Sequence, residues 1–170
     1  LPVRTTILSI DSTYTISNIP AAQSRVVLME EYTGASCVNC PDGHKIVKEM
    51  LDLYGNNLAA VGLHPDGNAL AKPVHEDKPD EDFRTEEARL LAAAFKVSSL
   101  PSGTIDRRSF DGSVVQGRFE WKQRLATAIS NPVKINLKSR VYFDDKAGKY
   151  VLEFESTILE DIASNLNFSI

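Results

Sequence analysis

Apolar and polar positions along the chain change period several times, and each change marks an element. Residues 3–17, VRTTILSIDSTYTIS, are β-branched and Thr-rich and predict one or two extended strands. NIPAAQS follows as a linker. RVVLMEEY is a short continuous apolar run, the pattern of a strand buried on both faces. Ile46, Val47, Met50, Leu51 and Tyr54 then recur at helical spacing, with Gly55 placed to end the helix. LAAVGLH, residues 58–64, predicts a second buried strand. A strand, a helix and a strand in this order form a βαβ unit, for which a parallel pair with a right-handed crossover is the default.

Residues 64–84 carry Pro65, Pro73 and Pro79 and read as a loop or irregular insertion. Thr85 is placed to cap a helix whose first turn holds Glu86 and Glu87, and Ala88, Leu91, Ala92 and Phe95 give its buried stripe. PSGTIDR and GSVVQG predict an antiparallel hairpin around Asp111-Gly112. Trp121, Leu125, Ala128 and Ile129 mark a last helix, a core-packing stripe that stops before Pro132. Beyond Pro132 the period becomes two: Val133, Ile135, Leu137, Val141 and Phe143 alternate, then Leu152, Phe154 and Ile158 after the turn DDKAGK, then NLNFSI. This reads as an antiparallel meander with one buried face.

The predicted fold class is therefore α/β with a β-rich C-terminal extension. An extended segment occupies 1–24, the α/β domain 25–131 with its insertion at 64–84, and the meander 132–170. NLNFSI stops inside a strand pattern, which predicts a polypeptide that continues into a β-sandwich. Its open edge strand predicts pairing between molecules. Leu1 is not an initiator Met and no leader pattern follows it, so the start reads as processed or trimmed.

Composition adds limits. The chain has 170 residues, 42% hydrophobic and 25% charged, a globular balance. No apolar run approaches the roughly 18 residues of a membrane-spanning helix. A net charge of −4 without a basic patch argues against a nucleic-acid partner. The acidity is local: residues 64–87 hold eight Asp/Glu against three Lys/Arg. This stretch reads as a solvated loop, with an acidic docking site as the alternative.

The two cysteines, Cys37 and Cys40, stand two residues apart where the first buried strand meets the first helix. A bridge between them closes too short a loop to stabilise a fold by chain entropy, so the pair is judged on its chemistry. A helix N-terminus offers unpaired N–H groups and the positive end of the dipole, which favour a thiolate. Cys37 is expected at that N-terminus as the attacking sulfur, with Cys40 about one turn further in as the resolving one. Pro41 fits a first helical turn. Metal is a weaker reading. Zinc needs four ligands and only two Cys exist, while Cys37, Cys40 and His44 offer a soft site for copper. His64 and His75 match no ligand spacing and read as solvated or capping residues. Glu30 and Glu31 are neighbours in the first strand, and alternation is expected to send one of them inward.

VVLMEEYTGASCVNC, the following helix, and VSSLPSGTIDR with Pro101 together resemble a thioredoxin-fold protein over about residues 25–131. More closely, EEYTGASCVNCPDG followed by a β-rich tail resembles the outer-membrane-protein-28-related family, thioredoxin-like proteins of bacterial cell envelopes. The resemblance implies that Leu100-Pro101 is a cis-proline loop facing the Cys pair and binding extended substrate backbone. It implies that Glu31 is the buried acid that takes a proton from the second cysteine. It also implies an extracytoplasmic place, in the periplasm or at the outer membrane. Ser36 stands where thioredoxins usually carry Trp, and Val38-Asn39 replaces their Gly-Pro, which leaves the direction of redox catalysis open. The function expected is thiol–disulfide exchange with protein or peptide partners, with no cofactor beyond the redox-active disulfide. The alternative is a non-catalytic cell-surface binding protein on the same scaffold.

Overall fold

In a computed structural model, residues 22–75 and 77–162 are described. The strands expected at 3–17 and 165–170, and the open edge at Ile170, lie outside the described residues. The chain divides into two units: Arg25–Asn131, and a second that includes 132–162.

In the first unit, β1 (Val27–Tyr32) runs into α1 (Cys40–Tyr54), which returns the chain to β2 (Leu58–Leu63), parallel to β1 with Val27 opposite Leu58. α1 buries Cys40, Gly43, Val47 and Met50, one side of the helix. It stops at Gly55, whose positive φ of 51° is one that glycine adopts without steric cost. α2 (Glu86–Ala94) starts at Thr85, whose hydroxyl accepts from the Ala88 N–H at 3.1 Å. Loss of that cap in a Thr85→Ala variant is expected to lower stability by about 1 kcal/mol, read as a fall in the urea midpoint.

β3 (Ser102–Ile105) pairs antiparallel with β1, and β4 (Gln116–Gly117) pairs antiparallel with β3, so the sheet order is β2-β1-β3-β4. The hairpin is wider than the sequence predicts. Asp111-Gly112 form only a small turn inside the connection, closed by Phe110 and Ser113. β3 ends early because Asp106 and Arg107 both take a φ of 50°, which leaves extended backbone. Their side chains hold this bend in place. Asp106 accepts from the Leu28 N–H at 2.9 Å and pairs with Arg25, and Arg107 reaches Glu30.

α3 (Trp121–Ile129) buries Trp121, Leu125 and Ala128 completely. The Trp121 indole N–H donates to the Gln116 carbonyl at 3.0 Å, and Gly103 leaves room for the ring, since a Cβ there would lie 3.0 Å from Nε1. Val27 and Met29 of β1 join Val47, Met50, Trp121, Leu125 and Ala128 in one core. Tyr32, of opposite parity along the strand, packs instead with Leu91, Ala92 and Phe95 in and just after α2. β1 is therefore covered on both faces. β2 is not: it forms the outer strand, and only Leu58 of its six residues is buried, contrary to the buried strand its apolar sequence predicts.

In the second unit, β5 (Ile135–Asp144) and β6 (Lys149–Ile158) form an antiparallel pair with Val141 opposite Leu152 and Phe143 opposite Tyr150. Asp144 accepts from the Lys146 and Ala147 N–H groups in the turn, and Gly148 supplies its positive φ. The alternation places the apolar side chains on one face as expected. That face is not buried among the described residues: Leu137 and Val141 are more than half exposed.

Candidate active site

Beyond Tyr32 the chain leaves the sheet and turns tightly before the helix. The Thr33 N–H still donates to the Leu63 carbonyl, then the Cys37 N–H donates to Gly34 and the Cys40 N–H to Cys37, each at 3.1 Å. These short turns bring Cys37 and Cys40 to a Cα separation of 5.4 Å, and a disulfide joins them. The first helical residue is Cys40, so Cys37 lies in the turn before the helix rather than at its first position. Both residues are buried, Cys40 more completely, and they pack with Tyr32 and Leu100.

Pro101 follows a cis peptide bond from Leu100 and is buried. It meets α1 at Gly43: a Cβ on Gly43 would lie 3.2 Å from Pro101 Cβ and 2.8 Å from Glu31 Oε1. Gly43 thus brings three of the sequence-selected elements together, the helix that starts at Cys40, the Pro101 loop and the Glu31 carboxyl.

Both strand glutamates are buried, where alternation predicts one inward and one outward. The reason is the cover on both faces of β1. Glu30 goes to the α2 side, where Arg107 grips it with two nitrogens at 2.6 and 2.9 Å and the Thr104 hydroxyl donates at 2.6 Å. Burial pushes its pKa up, but these donors outweigh burial and hold it below the usual carboxylate range. Glu31 goes to the α1 side. No hydrogen-bond partner for its Oε1 is found among the described residues, and burial raises its pKa to about 7. The nearest basic group is His44 of α1, with Nε2 3.6 Å from Glu31 Oε1 and 2.8 Å from Thr33 Oγ1.

A cleft of about 350 Å³ opens beside the disulfide. The two cysteines, Pro41, His44, His64 and Phe83 line it, together with Gly34 and Ala35. His64, expected as a solvated or capping residue, is only partly exposed. Its ring lies 5.5 Å from the Phe83 ring, and its Nδ1 is buried with no partner among the described residues. Burial, and then the charge of His44, hold its pKa below the ordinary histidine value. His75 instead sits at the surface, 2.7 Å from Glu81.

Sequence reading missed His64 and Phe83 as neighbours of the cysteines. A topological signal was there for His64: parallel β1 and β2 end at the same edge of the sheet, so residues just after either strand share that edge. The copper reading of Cys37, Cys40 and His44 finds its two sulfurs tied to each other. Among the described residues no group of three or more His, Cys, Asp or Glu is placed to hold a metal ion.

No family model matches the sequence, and no curated protein matches it. Among solved structures, a crystal structure of a protein from Agrobacterium tumefaciens is similar at 14% identity and a TM-score of 0.46, over 73% of this chain. The chain spans 55% of that protein's length. A second, described as a malarial protein, is similar at 15% identity and a TM-score of 0.36, over 63% of this chain and 100% of its own. At these scores neither likeness identifies the fold. No helix among the described residues is long and apolar enough to cross a membrane.

Proposed function

We propose that Arg25–Asn131 is a thioredoxin-like domain that exchanges its Cys37-Cys40 dithiol and disulfide with protein or peptide partners in a bacterial cell envelope. The observation that carries this reading is a Cys-x-x-Cys disulfide at a strand-to-helix junction, open to a cleft and backed by a buried carboxyl of raised pKa. The envelope location rests on the EEYTGASCVNCPDG resemblance alone.

In the reducing direction, the Cys37 thiolate attacks one sulfur of a partner disulfide. A new Cys37–partner disulfide forms and the other partner sulfur leaves as a thiolate. Cys40 then attacks the Cys37 sulfur, which restores the Cys37–Cys40 disulfide and releases the second partner thiolate. Two electrons pass from the domain to the partner. Glu31, on the inner side of the helix start, takes the proton that Cys40 gives up. The same steps reversed oxidise a partner dithiol.

Insulin reduction tests this directly. With dithiothreitol as the electron source, the protein is expected to accelerate precipitation of insulin chains well beyond dithiothreitol alone. No acceleration would leave the non-catalytic binding reading in its place, which the exposed apolar face of β5 and β6 favours.

A further inference from the structure

The acidic insertion is docked against the disulfide loop. The Ser36 N–H donates to the Leu70 carbonyl at 3.0 Å and the Ser36 hydroxyl donates to the Lys72 carbonyl at 2.9 Å. Gly34 makes this approach possible, because a Cβ there would collide with the Leu70 carbonyl oxygen. The far end of the insertion is fixed as well: the Thr85 N–H donates to the His64 carbonyl at 3.0 Å and the Asp66 N–H to the Thr85 carbonyl at 3.2 Å.

Docked in this way, the insertion sets His64 and Phe83 in the lining of the cleft that also holds Cys37 and Cys40. Phe83 is 58% exposed although it borders the cleft, Leu70 is 42% exposed, and Val38, between the cysteines, is 93% exposed. An exposed Phe83 in the lining of a cleft that reaches the disulfide, with Val38 exposed between the cysteines, marks a binding surface more than a solvated loop. Over 64–87 the sequence is acidic in sum, with eight Asp/Glu against three Lys/Arg, although Asp82, Glu81 and Glu86 pair with Arg84, Lys78 and Arg89.

We propose that the insertion is the substrate-recognition element of the disulfide site, and that it selects polypeptide disulfides carrying a large apolar side chain next to the cysteine and basic residues beyond it. This rests on the exchange function proposed above. The cleft lies near the lower end of ligand-pocket volumes, the room of a single side chain rather than a folded surface. That side chain enters against Phe83 and His64, which line the cleft, and brings its neighbouring sulfur to Cys37. The lowered pKa of His64 favours its neutral ring, against which an apolar group packs without desolvating a charge there. The net negative charge of residues 64–87 attracts a basic flank and repels an acidic one.

The probes are short synthetic peptides, each with one cysteine activated as a mixed disulfide with thionitrobenzoate. Attack by Cys37 joins the peptide sulfur to Cys37 and releases thionitrobenzoate, which is read by absorbance. The residue beside the cysteine is Phe or Ser and the outer flank is Lys or Glu. The reduced full chain is expected to react about tenfold or more faster with the Phe peptide than with the Ser peptide, the range a hydrophobic pocket supplies. It is also expected to prefer Lys over Glu flanks, a preference that shrinks between about 20 mM and 0.5 M salt. In Phe83→Ser protein, and separately in Val38→Ser protein, the Phe-to-Ser rate ratio is expected to fall toward one. Both positions are exposed enough for the variants to fold, and the ratio within one protein cancels any change in thiol reactivity. Equal rates for Phe and Ser peptides in the unmodified chain, or an undiminished ratio in both variants, would overturn the recognition role while leaving the exchange function standing. Thiols that release no thionitrobenzoate from any peptide would overturn both.

Discussion

Cys37→Ser protein is expected to lose all acceleration of insulin reduction, while Cys40→Ser protein accumulates as a covalent adduct with its partner. The asymmetry follows from position. Cys40 is the first residue of α1 and is the more deeply buried of the two, and Cys37 lies in the turn just before the helix N-terminus. The positive end of the helix dipole there favours negative charge on Cys37, which makes it the better nucleophile at neutral pH. With Cys40 gone, the first exchange still occurs but nothing within the chain resolves it. Intact-mass spectrometry of the two variants after mixing with a disulfide-bonded peptide reads the difference directly. An adduct on Cys37→Ser protein and none on Cys40→Ser protein would reverse the assignment.

Glu31→Gln is expected to stabilise the oxidised protein at pH 8 by roughly 3 kcal/mol and to change little at pH 5. Glu31 titrates at an ordinary 4.5 when unfolded and at about 7 in place, because burial disfavours its charge. Between these values the folded chain binds a proton that the unfolded chain has released. Stability therefore falls as pH rises from about 4.5 to about 7, and the full penalty persists above that. Glutamine carries no charge at either pH and removes the penalty. Urea midpoints for both proteins at pH 5 and pH 8 give the test. Parallel pH profiles for the two would show that Glu31 titrates normally.

The periodic elements were legible because each carries its own local signal. The α1 stripe, the Thr85 cap and the Trp121 stripe need no tertiary knowledge, and the Cys-x-x-Cys spacing declares itself. What could not be read depends on which faces are covered. β1 places Glu30 and Glu31 on opposite faces as alternation requires, yet both are buried because helices cover both sides. β2 has the same apolar sequence texture as a central strand but sits outermost, so Val61 is exposed. Phe83 reads as one apolar residue in an acidic run, and only the docking of 69–72 against Gly34 and Ser36 explains why the cleft forms where it does.

The backbone closure at the base of the insertion has a consequence for how such a domain changes over generations. His64, Asp66 and Thr85 hold the two ends together through main-chain atoms, which do not depend on side-chain identity. Each doubling of the enclosed loop adds only about 0.6 kcal/mol of closure entropy. The segment between them is thus a cassette. Its length and chemistry can be rewritten, by mutation or by grafting, while the sheet and the sulfur chemistry stay as they are. The requirement that must travel with any replacement is a glycine at 34 wherever the new segment brings its backbone as close as Leu70 does.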